Sequence, residues 1–405
     1  MDFSLSSEHE MVQKMVRDFG AKEVYPGIKE ADRNQAMDEH VLPRMAELGI
    51  LGICIPVRYG GSGMDYISLG IASEELEYID TTLRVVMSVH VGLASMTLLQ
   101  WGTEEQKMEF LTPLAQGSKL GCGAFSEPGA GSDFSNIQAT AKKDGGDYVL
   151  NGEKMWISLA TKAHYAMVTV RTNSDAKKPS GGLSIFILDL SSSGVSRGDI
   201  HGKLGVRAGS TGWLSFQDVR VPVSNMVGEE GEGFKITMSA FDSGRYTVAA
   251  GATGLIRASL DASVNYAKER VAFGRPISEH QLIQEKIARM ASDYEIARLL
   301  YLKAGWKKNE GIRNTLETSL AKQFATAASF EAAAEAVQIH GAYGYSDEYD
   351  VERYMRNAKG VMIYEGSNEI QTLIQAQYAL RNRRDKALRC EMPAYEDSEV
   401  HTALE

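Results

Sequence analysis

An α+β chain laid out in three successive parts, helical, then strand-rich, then helical, is the fold class that the sequence predicts. Three observations predict it: apolar residues at helical spacing up to about residue 120, alternating or continuous apolar runs from 121 to 232, and long alanine-rich helical patterns beyond. In the first part, residues 1–120, "SEHEMVQKMVRDFGAKEV" sets Met11, Val12, Met15, Val16 and Phe19 on one helical face, and the glycine-rich "PVRYGGSGM" interrupts the helices. The second part, 121–232, carries "DYVLNGEKMWIS", "YAMVTVRT", "GLSIFILDL" and "WLSFQDVRVP", punctuated by Gly, Asn, Asp and Ser, and reads as a compact β domain. The third part, 233–385, returns to helices. There "EHQLIQEKIARMASDYEIARLLYLKA" spaces Leu282, Ile283, Ile287, Met290, Tyr294 and Leu299 for a helix, and "SLAKQFATAASFEAAAEAVQIHGAYG" suits close helix packing, so a bundle is expected. The polar tail 386–405 reads as an extension that could drape over a neighbour.

The bulk properties narrow the function classes. A chain of 405 residues can bury ample apolar surface in two or three domains, and its formal charge of −10 argues against a general nucleic-acid binder. Cys54, Cys122 and Cys390 are far apart with no CxxC, which fits a reducing compartment and predicts no metal or disulfide framework. No stretch reads as apolar enough to span a bilayer, and "MDFSLSSEHEMVQK" lacks a signal-peptide core, so a cytoplasmic location is the expectation.

Two short stretches carry chemistry. In "VMIYEGSNEIQTLIQ", Ser367 reads as an N-cap, with Ile370, Leu373, Ile374 and Gln377 on the face of the helix it opens. Glu365 then lies on the turn into that helix. The helix dipole favours its ionised form, and the apolar Val361, Met362 and Ile363 favour the neutral one, so the carboxylate could be poised as a base. By itself the segment reads first as an acidic helix start kept for stability. The other stretch, "GAFSEPGAGSDFSNIQATA", offers Gly129 and Gly131 for close backbone approach, with Ser126, Ser132 and Asp133 as polar contacts. A plain turn explains it as well, and with no surrounding βαβ unit it is not a dinucleotide fingerprint.

Several motifs in order go further. "FSEPGAGSD" resembles the first signature of the acyl-CoA dehydrogenase family and "QIHGAYGYSDEYDVERYMRNAK" the second. "IYEGSNEIQ" falls where that family has its catalytic glutamate, and "FDSGRYTVAAGATGL", "ERVAFGRPISEHQ" and "KLGVRAGSTGWLSFQDVRVP" match further blocks, so the likeness runs from about 5 to 380. The resemblance implies a helical N-terminal domain, a middle β-barrel or sandwich and a C-terminal four-helix bundle. It also implies FAD held between domains and subunits of a homotetramer, an acyl-CoA substrate, and electron-transferring flavoprotein as acceptor. Carried over residue by residue, Glu365 is the catalytic base. Phe125, Ser126, Ser132, Trp156, Ser158, Gln338, Gly341, Ser367 and Glu369 line the cofactor, while Arg270, Phe273 and Gln281 reach the FAD of a neighbouring subunit. Ser132, Asp242, Arg245 and Gly366 contact substrate. Ser158 stands where the family often has Thr, Ala342 where a second glycine is usual, and Asn136 where a small residue is common.

Arg84, upstream of "WGTEEQK", falls where glutaryl-CoA dehydrogenases hold their substrate's distal carboxylate, and a guanidinium beside an acyl pocket calls for an anionic partner. The resemblance therefore implies a dicarboxylyl-CoA, with (R)-2-benzylsuccinyl-CoA placed first. Glutaryl-CoA and a short- or medium-chain monocarboxylic acyl-CoA are the alternatives, and Arg84 in a surface or intersubunit salt bridge is the bland reading. Outside catalysis, a silent acyl-CoA-binding assembly partner is the competing class. Tyr364 resembles the decarboxylating glutaryl enzymes but leaves that step open.

Overall fold

A computed structural model describes residues 4–384; the tail expected to form an extension lies outside these residues. At its centre runs a helical rod, Thr81–Trp101, α-helical at both ends and widened to a π-helix over Met87–Ser95. Within its 21 residues, an 18-residue window has a mean hydropathy of 1.5 and is buried throughout. This corrects the expectation that no stretch is apolar enough to span a bilayer. The segment qualifies by length and composition, and its lipid-like surroundings are the protein's own interior. The rod starts at a sharp break: Asp80 is extended (φ −163°) between the helix Tyr66–Ile79 and the rod, and its carboxylate caps the Thr82 N–H at 2.8 Å.

The middle part forms eight strands: β1 (Gly121–Ala124), β2 (Thr140–Asp144), β3 (Asp147–Ser158), β4 (Tyr165–Arg171), β5 (Leu183–Asp189), β6 (Val195–Asp199), β7 (Thr211–Pro222) and β8 (Met226–Val227). They pair in the order β6-β7-β3-β2-β4-β5-β8, with β1 added parallel to β4. β2 and β4 share one residue pair, Thr140 with Arg171, so the sheet is two halves joined at a corner. The halves face each other, Tyr148 of β3 meeting Phe186 of β5 with ring centroids 5.0 Å apart. Alternation along β7, with Leu214, Phe216, Val219 and Val221 inward, is what the sequence pattern called for.

From Gly233 the chain is helical again. A 37-residue helix, Gly233–Glu269, packs against Gln281–Asn309, Thr315–His340 and the earlier helix Tyr66–Ile79. Small residues set these distances, and Gly254 touches the Glu74 backbone so closely that a Cβ would lie 2.0 Å from its carbonyl oxygen. Two details of the helical reading shift. Met11 is exposed while Val12, Val16 and Phe19 are buried. On Gln281–Asn309 the buried side is Met290, Ala297, Tyr301 and Ala304, leaving Leu282 and Leu299 outward. Counting large apolar residues misplaces a face whose packing runs through alanine and tyrosine.

Gly254→Ala is expected to lower stability by about 2 kcal/mol or more, because backbone meets the added methyl; a thermal melt matching the parent's would show that the two helices separate freely.

Candidate active site

The helix Val351–Val361 ends in a turn that leads into the helix Asn368–Ala379, and Glu365 and Gly366 form its apex. Both have positive φ, 55° and 84°. Glycine accepts this freely; for a glutamate it costs about 1–2 kcal/mol, so surrounding contacts must impose it. They are all present. Lys322 Nζ donates to the carbonyl oxygens of Gly366 (2.9 Å) and Met362 (3.4 Å) and to Asn368 Oδ1 (3.2 Å). Gln371 Nε2 donates to the Gly366 oxygen at 2.9 Å, and Arg245 Nε to the Glu365 oxygen at 3.0 Å.

Gln371 also explains a difference from the sequence reading. The buried side of Asn368–Ala379 is Asn368, Gln371 and Ile374, whereas Leu373 is 58 % exposed: polar residues face inward to hold the turn. Ser367 occupies the N-cap position but makes no side-chain cap bond; its hydroxyl goes to the exposed Glu369, whose carboxyl it holds below the usual range.

The Glu365 carboxylate points into the protein. Its Oε2 is shielded from solvent and has no hydrogen-bond partner among the described residues. Room for it comes from Gly244 on the long helix, where a Cβ would lie 1.9 Å from that oxygen; Gly244 is in turn closely faced by Gly92 of the rod. Burial raises the Glu365 pKa, opposed by the positive charges of Arg84, Lys322 and Arg245.

Arg84 is completely buried, neither on the surface nor between subunits. Its Nε donates to Glu77 at 2.5 Å, Nη1 to the Ser88 hydroxyl at 2.8 Å, and Nη2 to the Tyr364 hydroxyl. Ser88 is 2.6 Å from the Thr247 hydroxyl, which donates to the Gly244 carbonyl at 2.7 Å. The anionic partner that a buried guanidinium needs is thus supplied by the chain itself, and Glu77 is in turn pushed up by burial against the pull of Arg84. Arg245 and Asp242 pair at 3.2 Å, and Asp242 accepts from the Thr315 hydroxyl at 2.5 Å.

Trp156 sits at a β3 bulge with φ 63° and is 61 % exposed, an aromatic plane held out by strained backbone. Ser126 is tied beside it, its carbonyl accepting from the Met155 N–H at 3.0 Å, and Ser158 closes the strand opposite Thr211. A Cβ on Gly129, Gly131 or Gly341 would meet nothing within 4 Å, so nothing inside the chain crowds those three backbones. An exposed indole, nearby hydroxyls and open glycine backbone suit a flat polar cofactor such as a flavin. Phe125 is placed differently: its ring is 2 % exposed and packs edge-on against Phe134 and Phe241, so it can offer such a cofactor only backbone. Ser132 is exposed on the first-motif loop, and Gln338 is exposed in the last turn before Gly341. Arg270, Phe273 and Gln281 lie on and beside the hairpin Val271–Pro276, with Phe273 96 % exposed at φ 53° and Arg270 over the Tyr343 ring at 5.9 Å. Among the described residues no group of His, Cys, Asp and Glu is arranged to hold a metal ion.

Sequence reading missed Lys322, Gln371, Gly244, Ser88, Thr247 and Glu77. For Lys322 a signal existed: it is in helical phase with Ala325, Thr326 and Ser329, all buried, where a charge needs a reason.

Residues 6–118, 122–219 and 231–380 match the N-terminal, middle and C-terminal domains of acyl-CoA dehydrogenases. The chain is 42 % identical to the probable acyl-CoA dehydrogenase YngJ of Bacillus subtilis, over 94 % of this chain and all of that one. It is 41 % identical to the short-chain-specific acyl-CoA dehydrogenase of Megasphaera elsdenii with the same coverage. Among solved structures, butyryl-CoA dehydrogenase from M. elsdenii superposes with a TM-score of 0.92 at 40 % identity, covering 94 % of this chain and 100 % of that one. A glutaryl-CoA dehydrogenase with glutaryl-CoA bound gives 0.92 at 38 %, covering 96 % and 99 %. A chain in a structure described as the electron transferring flavoprotein of Acidaminococcus fermentans gives 0.92 at 40 %, covering 94 % and 100 %. With all three domains matched in order and relatives above 40 % identity along their full length, the chain belongs to the acyl-CoA dehydrogenase family, whose members are FAD-dependent oxidoreductases acting on CH–CH bonds.

Proposed function

We propose that the chain dehydrogenates a dicarboxylyl-CoA thioester to its 2,3-enoyl-CoA, with Glu365 as the base that takes the α-proton. The observation that carries this reading is the Glu365 carboxylate itself: buried, without a hydrogen-bond partner at Oε2, and raised in pKa in a glycine-lined gap. A solvated carboxylate is too weak a base for a thioester α-proton; removal from water strengthens it. Ser126, Trp156, Ser158 and the open glycine backbones would hold FAD, which when bound supplies the acceptor for the β-hydride. The backbone N–H of Glu365 would donate to the thioester oxygen as charge develops there, and Arg245, fixed on the Glu365 carbonyl, holds the following peptide and so limits rotation about that residue. Electron-transferring flavoprotein as acceptor, a homotetramer with Arg270, Phe273 and Gln281 facing a neighbour's cofactor, and a cytoplasmic setting belong to the same proposal. The A. fermentans neighbour supports the first, the exposure of Phe273 the second, and the free, buried Cys54 and Cys122 the third.

The dicarboxylyl part rests on Arg84. Its guanidinium acts on Glu365 electrostatically and donates to the hydroxyl of the adjacent Tyr364, which supports a place beside the acyl group. Three of its five N–H groups are used, leaving donors for a distal carboxylate. Glutaryl-CoA and (R)-2-benzylsuccinyl-CoA are the two candidates. A second reading, a short-chain monocarboxylic substrate, is favoured by Glu77, which already balances Arg84 without any substrate, and by the short-chain relatives.

Anaerobic addition of glutaryl-CoA or (R)-2-benzylsuccinyl-CoA is expected to bleach the visible flavin band of the holoenzyme, and butyryl-CoA to leave it. The double variant E77Q/R84M, which leaves no unpaired buried charge, should lose the dicarboxylyl response. Bleaching by butyryl-CoA alone selects the second reading.

Glu365→Gln should abolish bleaching by every thioester yet make the protein more stable at pH 8. The sign follows from the raised folded-state pKa: the contribution of Glu365 to stability is complete below its unfolded value near 4.5 and is lost as pH rises through the folded value. The variant's advantage in thermal denaturation should therefore shrink toward pH 4.5; an advantage that is flat with pH would show that Glu365 is not strained by burial.

A further inference from the structure

Three cations surround the Glu365 carboxylate, and two of them are already neutralised. Arg84 has Glu77 at 2.5 Å and Arg245 has Asp242 at 3.2 Å. The third, Lys322, has none: its hydrogen-bond acceptors are two backbone carbonyls and an amide oxygen, all neutral. It is wholly buried in the middle of Thr315–His340, on the side that faces the turn. A buried ammonium without a counter-charge is costly, and chains keep one where its charge is used.

We propose that Lys322 is a positioning residue for the base: its ammonium ties down the carbonyls on both sides of Glu365 and gives the carboxylate a positive charge that no other acid among the described residues neutralises, keeping it aimed and ionised. Met362 and Gly366 bracket Glu365 in sequence, so the lysine fixes both ends of the strained segment from beneath. Thr326, one turn along the same helix, holds Asn368 Oδ1 at 2.9 Å and thereby orients the third acceptor. The charged groups facing Lys322 are Glu365 from the turn, Arg245 from the long helix, Arg84 from the rod and Glu369 from the last helix. The two arginines arrive with their own acids, and Glu369 is exposed, so Glu365 is the charge with which Lys322 is coupled. Burial pushes the lysine down to about 7, with Glu365 as the strongest opposing influence.

This inference rests on Glu365 being the base, which Glu365→Gln tests alone. For Lys322 the experiment is the pH profile, from 6 to 9, of the anaerobic bleaching rate of the holoenzyme with its best thioester. K322Q keeps two donors for the carbonyls and removes the charge; K322R keeps the charge. Without the ammonium the carboxylate is harder to ionise, so the acid limb in K322Q should move up by about one pH unit. K322R should restore the parent limb even if its rate is lower. A K322Q limb that coincides with the parent's, whatever its melting temperature, would overturn the electrostatic role, as would loss of bleaching at every pH in both variants, which would assign Lys322 to packing alone.

Discussion

A carboxylate kept from water next to three cations demands that the surrounding charges be balanced closely, and this balance governs the architecture of the site. Too little positive charge nearby and burial would leave Glu365 protonated; too much and it would be a stable anion with no appetite for a proton. The chain reaches the middle by giving Arg84 and Arg245 their own carboxylates while leaving Lys322 to neutral acceptors. Glu77 and Asp242 therefore set the charge around Glu365 as much as the groups that touch it.

The same balance accounts for the backbone. Glu365 is held in a left-handed conformation by donors from three helices: Lys322 from Thr315–His340, Arg245 from Gly233–Glu269 and Gln371 from Asn368–Ala379. No single element could impose it. The converging helices must also come close, and glycine is what lets them: Gly244 and Gly92 face each other beside the carboxylate, and Gly254 seats the long helix on Tyr66–Ile79. Strain at Glu365 is thus sustained by packing spread over the helical half of the molecule.

How much of this was legible in the sequence depends on the kind of pattern involved. The three-part layout was, because period 2 in β3 or β7 and period 3.6 in the helices are local signals. Glu365 was also visible, as a carboxylate among apolar residues and by its place in an ordered series of motifs. The groups that tune it were not. Glu77 hides in "SEELEYID", whose three glutamates, Glu74, Glu75 and Glu77, are all buried although charge usually faces solvent. Lys322 and Gln371 lie in helices whose inward sides carry polar groups, against the rule that apolar means inside. Arg84 could be singled out, but its partner could not, since Glu77 meets it across the break at Asp80 rather than along one helix.

The rod Thr81–Trp101 has a consequence for how the chain is made. Its main cover, the helix beginning at Gly233, is synthesised only after the whole β domain has emerged. At ribosomal speeds of about 5–20 residues per second, a segment with the composition of a membrane span waits on the order of ten seconds for the surface it will pack against. Until then, lipid and other nascent chains are its competing partners. Strand β1, which lies against the π-helical stretch, is the earliest part of the β domain that can cover it.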